Sequence, residues 1–244
     1  MQYSTLLLLA ISSLLAAPAV EVQGGNDRIV GGRPSGGYSF MASLQINGQH
    51  FCGGTLVAPS TIVTAGHCVQ DIDASQVTVR LGITQLSDYG GETIQATQAF
   101  AHPQFDIQRL VNDVAIITLA SPSSATPANL DTSNIGSRVG TTAINAGWGL
   151  LYNQGQQPDQ LMEVDLRISP NSRCQSSLYG FNGQASICMS GATATQTPCN
   201  GDSGGPLIVG NTLIGAVSYG NACRGDSAFT RIYTYLNWIN QYLN

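Results

Sequence analysis

Lysine is absent from this 244-residue sequence: all nine basic residues are arginine, set against 14 acidic residues and a formal net charge of -5. Charged side chains make up only 9% of the chain. Nucleic-acid grooves and anionic membrane surfaces are met with clustered basic charge, so neither partner is expected. The one long apolar stretch, Leu6 to Ala17, is too short to span a bilayer core of about 30 Å. No Asn-x-Ser/Thr triplet occurs, so N-glycosylation is not expected. There is no C-x-x-C pair, and only three histidines are present, which argues against a zinc site and leaves no expected metal or cofactor.

What is there points to a secreted, turn-rich β protein. The length and 43% hydrophobic content suffice for one large or two small domains with a substantial core. The 28 glycines, with many Ser, Thr, Asn and Gln, disfavour helix interiors and supply turns. Leu6 to Ala17 followed by Ala17-Pro18-Ala19 reads as a signal peptide over residues 1–19, although no Lys or Arg precedes the run. Six cysteines remain, Cys52, Cys68, Cys174, Cys188, Cys199 and Cys223. In a secreted chain they predict three disulfides, with 15 pairings left open.

Val77, Val79 and Leu81 alternate with polar residues, while Val114 to Leu119, Leu207 to Val209 and Leu213 to Val217 are short β-branched runs. Ser121 to Ala128 lacks periodicity and reads as a linker between halves of similar size. Only the C-terminus has helical spacing, through Ile232, Tyr235, Leu236, Ile239 and Leu243.

Three segments carry chemistry. Gly201-Asp202-Ser203-Gly204-Gly205-Pro206 sets a serine among glycines, which let backbone N–H groups approach a developing oxyanion. A plain glycine-rich turn is the bland alternative. His67, in Thr64-Ala65-Gly66-His67-Cys68, is the candidate base, because imidazole can take and return a proton near neutrality. His50 and His102 read as surface or packing residues. Asp113 leads straight into an apolar strand, where a carboxylate needs a partner such as a histidine N–H.

Together with Ile29-Val30-Gly31-Gly32, Cys52-Gly53-Gly54-Thr55-Leu56, Gly147-Trp148-Gly149 and Ser218-Tyr219-Gly220, these segments follow one another in an order that resembles the chymotrypsin-like (trypsin-family) serine proteases, from Ile29 to the C-terminal helix. The resemblance implies an all-β fold of two antiparallel six-stranded barrels with a C-terminal α-helix, the first over about residues 29–120 and the second over about 133–244. It implies a catalytic triad of His67, Asp113 and Ser203 and an oxyanion hole from the N–H groups of Gly201 and Ser203. It also implies that Ser218 supports Asp113, and that Cys52 pairs with Cys68, Cys174 with Cys188 and Cys199 with Cys223. A propeptide over residues 20–28 would be cut after Arg28, freeing Ile29 to pair with Asp202.

Three positions depart from the family pattern. Gly66 replaces an alanine, Ile83 stands where calcium-binding members carry glutamate, and Arg224-Gly225-Asp226 is short. The resemblance places Thr197 at the base of the primary pocket, Ser218, Tyr219 and Gly220 on one wall and Ser227 on the other. Neutral groups there imply preference for large apolar residues before the scissile bond. Trypsin-like selectivity through an inward-facing Asp226 is the alternative, since a one-residue slip in strand register reverses side-chain direction. The expected partners are protein or peptide substrates and protein protease inhibitors, met by a secreted monomer. A non-catalytic protease-fold binding or inhibitor protein is the reading from another class, and the intact triad argues against it.

Overall fold

A computed structural model describes residues 31–243. The expected signal peptide, the propeptide and Ile29 lie outside those residues. After β1 (Arg33–Pro34), six antiparallel strands close a first barrel: β2 (Met41–Ile46), β3 (Gln49–Ala58), β4 (Thr61–Thr64), β5 (Val77–Leu81), β6 (Glu92–Ala101) and β7 (Ala115–Leu119). Alternation is the cause where it is visible. Val77, Val79 and Leu81 point into the barrel from β5 while Thr78 and Arg80 stay partly exposed.

The second half contributes β8 (Asn129–Leu130), β9 (Thr142–Gly147), β10 (Met162–Ile168), α1 (Asn171–Ser177), β11 (Ser186–Ser190), β12 (Pro206–Val209), β13 (Thr212–Asn221), β14 (Arg224–Arg231) and α2 (Ile232–Ile239). Strands β9 to β14 without β8 close a second six-stranded barrel, sealed by pairing of β9 with β10. Its core is Met162, Val164, Leu166, Ile187, Leu207, Ile214 and Phe229, each worth about 1.5–3 kcal/mol when fully buried.

The chain ends cross between the halves, which departs from a simple first-half, second-half division. Strand β1 pairs with β10 of the second barrel, at Arg33 opposite Glu163. Helix α2 returns to the first barrel, burying Ile232, Tyr235 and Ile239 in that barrel's core cluster. The segment expected to be a linker is itself pinned to the first barrel. Ser123 N–H donates to Pro59 O at 2.8 Å, Ala128 N–H to Leu56 O at 2.9 Å, and the Glu92 carboxylate accepts from Ser123 and Ser124.

Helix α1 was not expected, because the C-terminus alone showed helical spacing. Pro170 precedes α1 and only Cys174 in it is buried, so Asn171 to Ser177 has no apolar stripe to reveal it. Its place is held covalently by the Cys174–Cys188 disulfide. The other bridges are Cys52–Cys68 and Cys199–Cys223, so the pairing is the one the resemblance implied. No helix among the described residues is long and apolar enough to cross a membrane.

Candidate active site

The two barrels meet where glycine permits backbone contact. Gly53 N–H of β3 donates to Ser203 O at 2.8 Å, and a Cβ on Gly53 would lie 2.7 Å from Gly205 Cα. The turn that carries Ser203 needs glycine as well. Gly201 and Gly204 sit at φ of +97° and +72°, a region L side chains avoid, and a Cβ on Gly204 would strike Gly53 O and Ala65 N.

His67 leaves the end of β4 in a single 3₁₀ turn beside the Cys52–Cys68 bridge. Asp113 immediately precedes the first-barrel strand β7 and is almost wholly buried, with 1% of its side chain exposed. Its carboxylate accepts the His67 backbone N–H on Oδ1 at 2.9 Å and lies 2.8 Å from His67 Nδ1 through Oδ2. From the second barrel, Ser218 donates its hydroxyl to the same Oδ2 at 2.5 Å, and Thr230 donates to Asp113 O at 2.5 Å. A carboxylate can only accept, so His67 Nδ1 carries the proton and Nε2 keeps a free lone pair. That tautomer is the one able to take a proton from a hydroxyl.

Ser203 lines a cavity of about 210 Å³ together with Asn200, Val217, Ser218, Tyr219 and Gly220. No hydrogen bond among the described residues joins Ser203 Oγ to His67, a contact that commonly closes only around substrate. The N–H groups of Gly201 and Ser203 donate to no acceptor among the described residues. Cys52, His67 and Cys68 place three donor atoms within 4.8 Å of one another, but the two sulfurs are bonded to each other and offer no thiolate.

Asp202 turns the other way, into the protein. Its Oδ1 accepts from Gly149 N–H at 2.8 Å and its Oδ2 from Cys199 N–H at 2.9 Å. Complete burial pushes its carboxyl up to about 6, against the opposing pull of those two N–H groups. Gly147 and Gly149 flank it, and a side chain at either position would overlap its oxygens.

Of the residues expected at the substrate pocket, Ser218, Tyr219 and Gly220 line the cavity, along with Pro198, Cys199, Ala222 and Cys223. Thr197 and Ser227 do not. Each is only 1% exposed, and Ser227 lies directly across the β13–β14 ladder from Gly220. Asp226 points away from the cavity. Its carboxylate accepts from Ser190 Oγ at 2.6 Å, Arg173 Nε at 2.7 Å and Ser177 Oγ at 2.9 Å. Burial acts to raise its pKa, but these three donors outweigh it and hold the group below the ordinary carboxylate value.

His50 is neither a surface residue nor simple packing, contrary to expectation. It is buried, with Ser43 Oγ 2.8 Å from Nδ1 and Gly201 O 3.0 Å from Nε2. The carbonyl requires Nε2 to be the donor, and in the neutral ring that burial favours, Nδ1 accepts from the hydroxyl. Burial pushes its pKa down to about 4, against the Gly201 bond. His50 therefore anchors the backbone two residues before Ser203. His102 is a packing residue, edge-on to Trp238 and Tyr235 at ring distances of 5.0 and 5.5 Å.

A family model described as Trypsin matches residues 29–239. Trypsin epsilon of Drosophila erecta is 35% identical over 227 residues, covering 88% of this chain and 87% of that protein. Hypodermin-B of Hypoderma lineatum is 35% identical over 222 residues, covering 88% and 86%. Trypsin alpha-4 of Lucilia cuprina is 37% identical over 224 residues, covering 89% and 88%.

Proposed function

Since the chain belongs to the trypsin family and is a serine-type endopeptidase, we propose that Ser203, His67 and Asp113 form its catalytic triad and that its pocket selects large apolar residues. Ser203 Oγ attacks the scissile carbonyl carbon as its proton passes to His67 Nε2. The oxyanion that forms accepts N–H bonds from Gly201 and Ser203, donors worth about 2.7 to 4 kcal/mol each in such sites. Collapse breaks the C–N bond, and His67 returns the proton to the leaving amine. Water then attacks the acyl-enzyme by the same route in reverse, restoring Ser203. Asp113 keeps the proton on Nδ1 and stabilises the imidazolium. The observation that carries this reading is the two-point contact of Asp113 with His67, braced from the other barrel by Ser218.

We assign residues 1–19 to a signal peptide for secretion and residues 20–28 to an activation propeptide. Cutting after Arg28 would give Ile29 an ammonium group. The buried Asp202 carboxylate, held only by two neutral N–H groups among the described residues, is its partner.

For selectivity, the support is the lining of the cavity beside Ser203, which contains no carboxylate among the described residues. A cationic side chain would be desolvated there without a counter-charge, at a cost of several kcal/mol. Several relatives bear the name trypsin, yet the one acidic candidate in this chain, Asp226, is engaged by Arg173 on the far side of the wall. Phe, Tyr, Leu and Met are the residues such a neutral pocket accepts. The test compares kcat/KM for peptides differing only in Phe, Leu, Ala or Arg before the scissile bond. Phe or Leu leading is the expected result; Arg leading by tenfold would refute the assignment.

A further inference from the structure

A cavity of about 550 Å³ lies away from Ser203, over the start of α2, and none of the described residues lining it is Asp or Glu. That is notable in a chain of net charge -5. Among the described residues of its wall only Arg231 is charged, and it is 6% exposed. Its guanidinium donates to Asn134 Oδ1 at 3.3 Å, Gly183 O at 3.1 Å and Ser186 O at 2.9 Å, all neutral acceptors. No carboxylate among the described residues comes within ion-pair distance. Asp131 is the acidic residue that acts on it, and both Asp131 oxygens are already taken by the N–H groups of Ser133 and Gly136. A buried cation facing a cavity without a counter-ion favours occupancy by an anion.

A second feature converges on the same space. Tyr233 and Thr234, in the first turn of the eight-residue helix α2, also line the cavity. N–H groups of a first turn have no intrahelical acceptor, and the helix dipole adds positive potential there. The side-chain amides of Asn171 and Gln184 complete a polar wall with donors to spare, while the Ser137 hydroxyl there is spent on Asn134 O at 2.8 Å.

We infer that this cavity is a binding site for a tetrahedral oxyanion, sulfate or phosphate, free or carried as an ester, held between the Arg231 guanidinium and the first turn of α2. The site is separate from the protease chemistry and does not depend on it. The positive charge of Arg231, its N–H groups not spent on Asn134, Gly183 and Ser186, and the helix-terminal N–H groups suit the several oxygens of such a group.

The experiment titrates processed protein carrying Ser203→Ala with sodium sulfate, sodium phosphate and phenyl phosphate at constant ionic strength in chloride, following backbone amide NMR signals. Saturable shifts are expected at Tyr233, Thr234 and Gly136. Gln184→Glu, a surface change that puts a carboxylate on the cavity wall without disturbing Arg231, is expected to weaken binding at least about fivefold. Arg231→Gln should weaken it further where it folds. Binding of the inorganic ions alone assigns the site to a free anion, and equal or tighter binding of phenyl phosphate assigns it to an esterified group. Shifts that fail to saturate, or an affinity unchanged in Gln184→Glu, would overturn the inference and leave Arg231 as a tie between the Asn134 turn and the β11 approach.

Discussion

Asp202 should leave a distinct mark on the pH dependence of the uncleaved chain. Its carboxyl titrates near 6 in the folded protein, against an ordinary value of 3.8. Between those values the folded state holds a proton that the unfolded state has released. Stability therefore falls as pH rises through this window and is level on either side of it. A shift of about 2 pH units at about 1.4 kcal/mol each gives about 3 kcal/mol. The assay is urea unfolding, disulfides intact, of an uncleavable Arg28→Gln, Ser203→Ala precursor with and without Asp202→Asn. Losing the carboxylate's two N–H bonds offsets the curves but does not tilt them, so the difference between the proteins isolates Asp202. That difference should move by about 2.4 kcal/mol between pH 4 and pH 7 in favour of the asparagine variant, the remainder falling below pH 4. Cleavage after Arg28 supplies an ammonium, so in the processed protein the trend should vanish or reverse. A difference that stays flat from pH 4 to pH 7 in the precursor would refute the buried-charge reasoning, and an identical tilt after cleavage would refute the pairing with Ile29.

Other consequences can be checked alongside. His50, with a pKa lowered to about 4 from 6.5, resists protonation in the fold, so it should remove about 3 kcal/mol of stability as pH falls from 6.5 to 4; His50→Gln should lack that loss in the same urea assay. The same variant gives up the bond to Gly201 O, and kcat should drop by up to about tenfold with KM little changed, as the turn bearing Gly201 loosens. His67→Ala and Ser203→Ala should each lower kcat by several orders of magnitude, with the double variant little worse than either, because the two act as a unit. Asp226→Asn should leave the ranking of Phe and Leu over Arg substrates intact, since its carboxylate faces Arg173 and Ser190; loss of an Arg preference in that variant would reverse the strand register argued above.

The parts of the site that were legible in the sequence are those whose chemistry forces a local pattern. Ser203 needs glycines on both sides to turn and to approach Gly53, and Asp113 must open a buried strand, so both stand out in a linear reading. His50 did not, because its role depends on Gly201, 151 positions away, brought across the barrel interface. The pocket depth was hidden for a similar reason. Ser227 pairs with Gly220 across β13 and β14, and it and Thr197 are each only 1% exposed, through contacts that a linear reading does not show. Helix α1 lacks an apolar stripe because a disulfide and the Asp226 bonds to Arg173 and Ser177 hold it in place of hydrophobic packing. Strand β5 and helix α2, by contrast, bury residues at their own periods and were visible as such.

The central claim is that Ser203 is a nucleophile activated by His67. Its most direct test is reaction of the Arg28-processed protein with a fluorophosphonate probe, followed by peptide mapping. The account predicts one label per chain, on Ser203, with labelling abolished in His67→Ala although that variant remains folded. A folded, processed protein that takes up no label, or takes it up on another residue, would contradict it.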